Sequence, residues 1–531
     1  MKPKTRQLRR EYLASLAIEL EGEDGVSAAS HLKSLMHREL QRNTFRHIKT
    51  AEKKLRGGGV HVVEKVINDQ TIKIYEKTNV ENEIIRVNKE KLLQANNTPL
   101  RESPLQELLG EQGDFERWEE ILHDLVTLPD EGVEEGTRLW FEFMSRGVPD
   151  ATDISWTTEE FFKSWKGMKE EKGSAPGWNF SHIKSVEGTS EAGQVISDLS
   201  LIPLLTGYIP EEWKIGINSM IPKKVHDLRP EKLRLILLMD CRFNHNNKLI
   251  GKKMMEYGGK KGILAKEQYG SRKHKSAIEH ALNKRLVLDI IKQRKIPSIY
   301  CANDAKSCYD RIIMMVAYLT MRKFGIPRLA AMSSVTTLLE MKHYVRTVYG
   351  ISKTYYGGEK WTLEGNKPHG NGEGNGNGPA LWAGISSPLL NILRELDYGI
   401  RFSSPISNEE LRLSAFGFVD DMDFVQTARD GDSNLDVFQK TKKGVRLWEE
   451  LLRVTGGAIE TSDTKTDWVN IDFEWKNEKW NMKPKDDQMV IHVRNHTGNE
   501  VEIKQLEPST ARETLGVMQS ITGDEQPQVE K

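Results

Sequence analysis

Ala415-Phe416-Gly417-Phe418-Val419-Asp420-Asp421-Met422-Asp423-Phe424-Val425 is the stretch on which the fold of this chain turns. Apolar residues flank two adjacent carboxylates on both sides, and the run reads as two short strands meeting in a hairpin. Carboxylates set side by side between apolar strand halves are costly unless they lie in an exposed turn or neutralise a cation. Both explanations stand at this point. The second draws strength from magnesium, whose ordinary protein environment is one or two carboxylates completed by substrate phosphates.

Upstream, Ile299-Tyr300-Cys301-Ala302 reads as a strand that gives way to a helix near Asp304. Alone, Asp304 serves equally well as a helix N-cap. With Asp420 and Asp421 it supplies carboxylates from two separate strands, as a two-metal phosphoryl-transfer site requires to hold cations roughly 3.5–4 Å apart. Between these strands lies a glycine loop, GNGEGNGNG at 370–378. It is either a floppy linker or, given the apolar run from Leu381 to Leu390 that follows, a segment whose bare backbone at Gly374 and Gly376 admits a base pair or a triphosphate. Lys465 follows the Gly456-Gly457 turn, as a surface lysine or as a proton donor to departing pyrophosphate.

Around these segments the pattern predicts a strand over 297–303, a helix over 309–324, a hairpin within 343–358, a helix over 380–393 and a long helix over 435–453. Strands and helices alternate irregularly, which predicts an α+β fold with a mainly antiparallel sheet rather than a doubly wound one. Residues 1–155 read as mostly helical, with amphipathic stretches at 9–19 and 28–50, a triple-glycine break at 57–59 and a strand-like run at 60–67. The acidic stretch 101–150 also reads as helices, and a turn-rich 174–178 separates two further helical patterns. Nothing before residue 155 carries recognisable chemistry.

At 531 residues the chain is long enough for three or four cores at roughly 150 residues each. With 37% hydrophobic and 29% charged residues it is neither a disordered polyelectrolyte nor a fibrous repeat. Cys241, Cys301 and Cys308 are too few and scattered for a disulfide framework or a zinc site, which favours a reducing, intracellular compartment. No run of 18 apolar residues suggests a membrane span, and the basic amino terminus lacks the apolar core of a secretory signal. Nucleus and cytoplasm are not distinguished. The formal charge of zero conceals a strong asymmetry: residues 101–160 hold 17 acidic and 4 basic groups, whereas 213–300 hold 21 basic and 7 acidic. The basic segment is either a set of solvated lysines or the footprint of a polyanion.

In order, DAKSCYD (304–310), the glycine loop with SSPLL (370–390), FVDD (418–421) and TGGAIETSDTKTDW (455–468) resemble motifs A to D of reverse transcriptases. APGWNFSHIK (175–184), MIPKK (220–224), KLRLILL (232–238) and EQYGSRKHKSAI (267–278) are similar to the fingers motifs of non-LTR, LINE-type retrotransposon reverse transcriptases, and TLGV (514–517) to the short element after their palm. Each motif is weak alone; their common order is specific, and the resemblance covers about 160–520.

The resemblance implies a right-hand polymerase, with fingers over 156–300, a palm over 301–520 and a tail at 521–531 in which a complete thumb is expected to be missing. Asp304, Asp420 and Asp421 match the catalytic, metal-binding carboxylates for two Mg2+ ions, with Mn2+ as an alternative. Lys223 and Arg234 match the basic residues that grip the incoming deoxynucleoside triphosphate, Tyr309 the aromatic gate beneath its sugar, and Lys465 the motif D lysine. From the residues alone, Tyr309 is as readily a core aromatic on a helix face shared with Ile312, Ile313 and Val316. The implied partners are an RNA template and a DNA primer, with no membrane; protein partners are not implied. Motif B usually carries Gln-Gly where this loop has Glu373-Gly374, unless the register brings Asn375 or Asn377 to that place. Viral RNA polymerases place an Asp at the Tyr309 position and Gly-Asp-Asp at motif C, so the residues here favour deoxynucleotides. No endonuclease or RNase H signature is legible. The competing reading is a catalytically weakened or domesticated relative that keeps the fold as an RNA-binding scaffold.

Overall fold

Two sheets carry most of the marked residues in a computed structural model, with Asp304 and Asp421 on one and Lys223 and Arg234 at the end of the other. It describes residues 60–523 and Gln526, apart from 68–69, 148–149, 171, 224–226, 360–367, 405, 463–464 and 516. The expected helices at 9–19 and 28–50 and the glycine break at 57–59 lie outside the described residues, as do Lys224 of MIPKK and Gly516 of TLGV. In chain order the principal elements begin with α1 (Lys77–Leu93), β1 (Ile215–Pro222), β2 (Leu233–Leu238), α2 (Cys241–Lys261), α3 (Ala277–Arg294), β3 (Ser298–Asp304) and α4 (Met314–Lys323). They continue with β4 (Lys342–Thr347), β5 (Gly350–Gly357), α5 (Gly378–Glu395), β6 (Phe416–Phe418), β7 (Asp421–Thr427), α6 (Asn434–Val454), β8 (Asp467–Ile471), β9 (Ile491–Arg494) and β10 (Glu500–Leu506).

One sheet runs β2-β1-β4-β5 and the other β6-β7-β3-β8-β10-β9. Most pairings are antiparallel, but β1 with β4 and β8 with β10 are parallel, so the α+β fold has mixed rather than purely antiparallel sheets. β3 is buried along nearly its whole length, with both of its faces covered. Tyr300 and Ala302 face Val287, Leu288 and Ile291 of α3, while Ile299 and Cys301 face the main core with α4, α5 and α6. α5 is buried almost all round, as its largely apolar run requires. Capping boxes, Ser276 with Glu279 and Ser433 with Asp436, start α3 and α6.

The helix expected over 309–324 is two helices. A single turn, Cys308–Arg311, ends before Ile312 and Ile313, which are extended, and α4 follows. The backbone there is taken by distant partners: Ile313 N–H donates to the Thr455 carbonyl at 3.0 Å and the Ile312 carbonyl accepts from Gly370 N–H at 2.8 Å. Tyr309 therefore shares no helix face with Ile312, Ile313 or Val316.

The acidic run folds as short helices, Leu105–Leu109, Phe115–Glu119 and Glu135–Ser145, with irregular chain between them. Trp118 and Trp140 are fully buried in the same core as α4, α5 and α6. Two of its carboxylates are matched within the fold: Glu119 accepts from Tyr318 Oη at 2.7 Å and from Arg322 Nε at 2.8 Å, and Glu134 pairs with Arg453 and Arg494. The hairpin Val63–Ile67 with Gln70–Ile74 and helix α1 pack on the four-stranded sheet. The three cysteines are buried and free. Among the described residues no helix is long and apolar enough to cross a membrane.

Candidate active site

Asp304 is the last residue of β3 and Asp421 the first of β7, and the antiparallel register makes them direct Cα partners. β6 and β7 are joined through Val419-Asp420 alone, so Asp420 stands beside the same strand end, with its carbonyl accepting from Ala305 N–H at 3.3 Å. Asp304 does not act as an N-cap: Ser307 precedes the short helix that follows. Nor is the Asp420-Asp421 turn simply exposed, since both residues are half-buried. The consequence is crowded negative charge. Burial and then the neighbouring Asp304 raise the Asp420 carboxyl; burial, Asp420 and Asp304 push Asp421 up to about 6.

Lys465 meets this charge directly, with Nζ 2.7 Å from Asp304 Oδ2, and that bond raises its own pKa. Its loop is fastened to the strand end by two backbone bonds, Glu460 N–H to the Asp304 carbonyl and Lys306 N–H to the Ala458 carbonyl, both 2.9 Å. Gly456 is obligatory there: at φ +94° a Cβ would come 2.2 Å from the Arg311 carbonyl oxygen.

Among the described residues no group of three or more His, Cys, Asp or Glu side chains converges as a ready-made metal site. The donor set nevertheless fits a hard cation of the magnesium type. Two or three carboxylates lie at adjoining strand ends with their mutual repulsion only partly relieved by Lys465, and phosphate oxygens and water can complete such a shell.

On the neighbouring sheet, Pro222 at the end of β1 pairs with Leu233 and Ile221 with Arg234, which brings exposed Lys223 and Arg234 to one hairpin end. Arg234 Nε lies 3.9 Å from Glu373 Oε1. The glycine loop is no linker. Leu237 N–H donates to the Glu373 carbonyl at 2.7 Å, a Cβ on Gly374 would come 2.6 Å from the Leu237 carbonyl, and one on Gly376 would come 2.7 Å from the Asn244 carbonyl. The bareness of Gly374 and Gly376 thus serves contacts within the protein. Asn375 and Asn377 are buried inside the loop, and Glu373 is the loop residue whose carboxylate pairs with Arg234. Tyr309 is half-buried, its ring 3.5 Å from the place of a Gly378 Cβ, and its carbonyl accepts from Asn371 N–H at 2.8 Å.

Sequence reasoning passed over Asp310 and Lys91. Asp310 has a buried Oδ1 with no hydrogen-bond partner, and burial pushes its carboxyl up to about 6 beside the charges of Lys91, Glu373 and Lys223. Lys91 arrives from α1 and donates to the Leu233 carbonyl at 3.0 Å. No local pattern signals it, because the helix and the strand it meets are far apart in sequence. No protein-family model matches the chain, and no curated protein shows significant similarity to it.

Proposed function

We propose that this chain is an RNA-directed DNA polymerase of the non-LTR retrotransposon kind, with β6-β7-β3-β8 and α5 as its palm and the β1-β2 hairpin as part of its fingers. The observation that carries the reading is the pairing of Asp304 with Asp421 across adjoining strands, beside Asp420 and with Lys465 in contact. Asp304, Asp420 and Asp421 would hold Mg2+ or Mn2+, which when bound lowers the cost of charge on the attacking 3′-hydroxyl and the departing pyrophosphate. Lys223 and Arg234 neutralise phosphate oxygens, Arg234 with up to two parallel hydrogen bonds. Lys465 keeps a proton at Nζ within reach of the strand ends. Tyr309 narrows the space beneath the sugar and so disfavours a 2′-hydroxyl. The basic run 213–300 suits a template–primer duplex, whose binding falls steeply with salt.

The test is extension of a DNA primer on a poly-ribonucleotide template with Mg2+ and deoxynucleotides. Extension by the natural chain that disappears in Asp420→Asn supports the reading. A second reading, an RNA-binding scaffold without catalysis, draws on Glu373, whose carboxylate stands beside Arg234 where a triphosphate would need free positive charge. RNA binding with no extension under any divalent ion would favour the scaffold.

A further inference from the structure

Val419, the first turn residue between β6 and β7, has φ +59°. That left-handed conformation is costly for a β-branched side chain, and glycine is usual where a two-residue hairpin turn needs it. Such strain persists only where the surroundings over-determine the backbone. Here they do. Gln268 Oε1 accepts from Val419 N–H at 2.9 Å, Gln268 Nε2 donates to the Val419 carbonyl at 3.2 Å, and the same carbonyl accepts from Trp382 Nε1 at 2.6 Å. The two peptide planes that flank Val419 are therefore both held, which sets its φ and ψ together and with them the direction in which Asp420 leaves the turn.

The clamp is itself tightly built. Gln268 is 2% exposed, and the rest of its amide is satisfied by Gly270 N–H at 2.9 Å and Ser386 Oγ at 3.1 Å. Its segment lies along β6 through Gly417 N–H to the Glu267 carbonyl and Tyr269 N–H to the Gly417 carbonyl. Glu267 is fixed in turn by Arg394 and by Ser414 N–H. A Cβ on Gly270 would come 2.5 Å from the Val419 nitrogen, so the approach requires glycine.

We propose that Gln268 is a positioning residue for cation binding: with Trp382 it holds the Val419 turn in its strained form, so that Asp420 and Asp421 face Asp304. This rests on the polymerase reading of the site. Without the clamp the turn relaxes toward negative φ, and Asp420 leaves its place without any loss of nucleotide-contacting groups.

The experiment titrates the full chain with Mn2+ alone, followed by electron paramagnetic resonance, beside primer extension and amide hydrogen exchange of the peptide spanning 416–422. Gln268→Met is expected to weaken Mn2+ binding tenfold or more, to slow extension with KM for the deoxynucleotide unchanged, and to speed exchange of that peptide. Glycine at 419 carries no penalty at positive φ, so in Gln268→Met/Val419→Gly the loss should shrink to about two- or threefold relative to Val419→Gly. Should Gln268→Met fold poorly, Gln268→Glu replaces it, since it keeps the acceptor for Val419 N–H and lacks the donor for its carbonyl. Unaltered Mn2+ affinity and exchange in these variants, or a loss of the same size whichever residue stands at 419, overturns the proposal. A natural chain that neither binds Mn2+ nor extends a primer overturns the polymerase reading instead, and the exchange measurement then still decides whether the clamp exists.

Discussion

Lys465 donates to Asp304 across 2.7 Å, joining the loop after α6 to the end of the central strand β3. The lysine side chain is about half exposed and the aspartate mostly covered, so the pair closes the open end of the carboxylate cluster rather than lying inside the core. Charge that a cation could take is thus partly met by the protein itself, while Asp420 and Asp421 have no ion pair among the described residues.

The proposed polymerase reading puts Asp304 and Asp420 at one reacting centre, so Asp304→Asn and Asp420→Asn should each lower primer extension by several orders of magnitude. The double variant should be hardly worse than either, as residues that act as a unit are grossly non-additive. Single-turnover extension checks this, with circular dichroism to confirm folding. Additive losses would mean that the two carboxylates work separately.

Glu373 stands 3.9 Å from Arg234 in an exposed pair. On the proposed reading Glu373→Gln removes a negative charge from the approach of a triphosphate and frees the guanidinium, so KM for deoxynucleotide should fall a few-fold, whereas Arg234→Ala and Lys223→Ala should raise it. Steady-state extension over a range of nucleotide concentrations measures both. If only template affinity changes, these residues belong to the nucleic-acid groove.

Tyr309→Ala opens the space next to Gly378. The ratio of ribonucleotide to deoxynucleotide incorporation should rise, by up to the roughly 1–3 kcal/mol that such a steric clash provides. Competition between the two nucleotides on one primer reads the ratio directly, and no change would make Tyr309 a core residue only.

Lys284 Nζ lies 2.8 Å from Asp423 Oδ2, and Tyr300 Oη donates to Asp423 Oδ1 at 2.8 Å; lysine and aspartate are both buried. Lys284→Met leaves an unpaired charge two residues past Asp421 and should cost about 3–5 kcal/mol in denaturant unfolding. Adding Asp423→Asn should recover much of that. A single variant as stable as the natural chain would contradict the buried pair.

Asp310 gives stability a pH dependence of known sign. Its carboxyl is lifted from 3.8 to about 6 in the folded chain, so the folded state holds the proton more tightly than the unfolded one, and this residue's contribution falls as pH rises from about 4 through 6. Asp310→Asn should therefore stabilise the protein at about pH 7.5, by of order 1 kcal/mol, and make little difference near pH 4. Thermal unfolding at both values tests it; a stabilisation that is equal at the two would remove the titration from the explanation.

Elements whose signal is local were legible from residue order. The hairpin over β4 and β5, the long α6 and the strand β3 have bounds close to the expected 343–358, 435–453 and 297–303, because alternation, helical spacing and caps act within a few residues. The break at Ile312-Ile313 was not legible, since the groups that capture their backbone, Thr455 and Gly370, come from other parts of the chain. For the same reason residue order left the glycine loop either a linker or a segment that admits a ligand, and gave no sign that Gly374 and Gly376 make room for Leu237 and Asn244.

By itself, then, the sequence determined which residues carry the chemistry proposed for the site, Asp304, Asp420, Asp421, Lys465, Lys223 and Arg234, and much of the strands and helices around them. Only the tertiary structure decided how they meet. The register that pairs Asp304 with Asp421, the Lys465 contact and the grip of Gln268 on Val419 are hydrogen bonds and ion pairs between segments widely separated along the chain. Periodicity and caps are properties of neighbours and leave a trace in residue order. A pairing between distant backbone groups leaves none, because any residue supplies the same N–H and carbonyl, and packing alone selects which of them come within 3 Å.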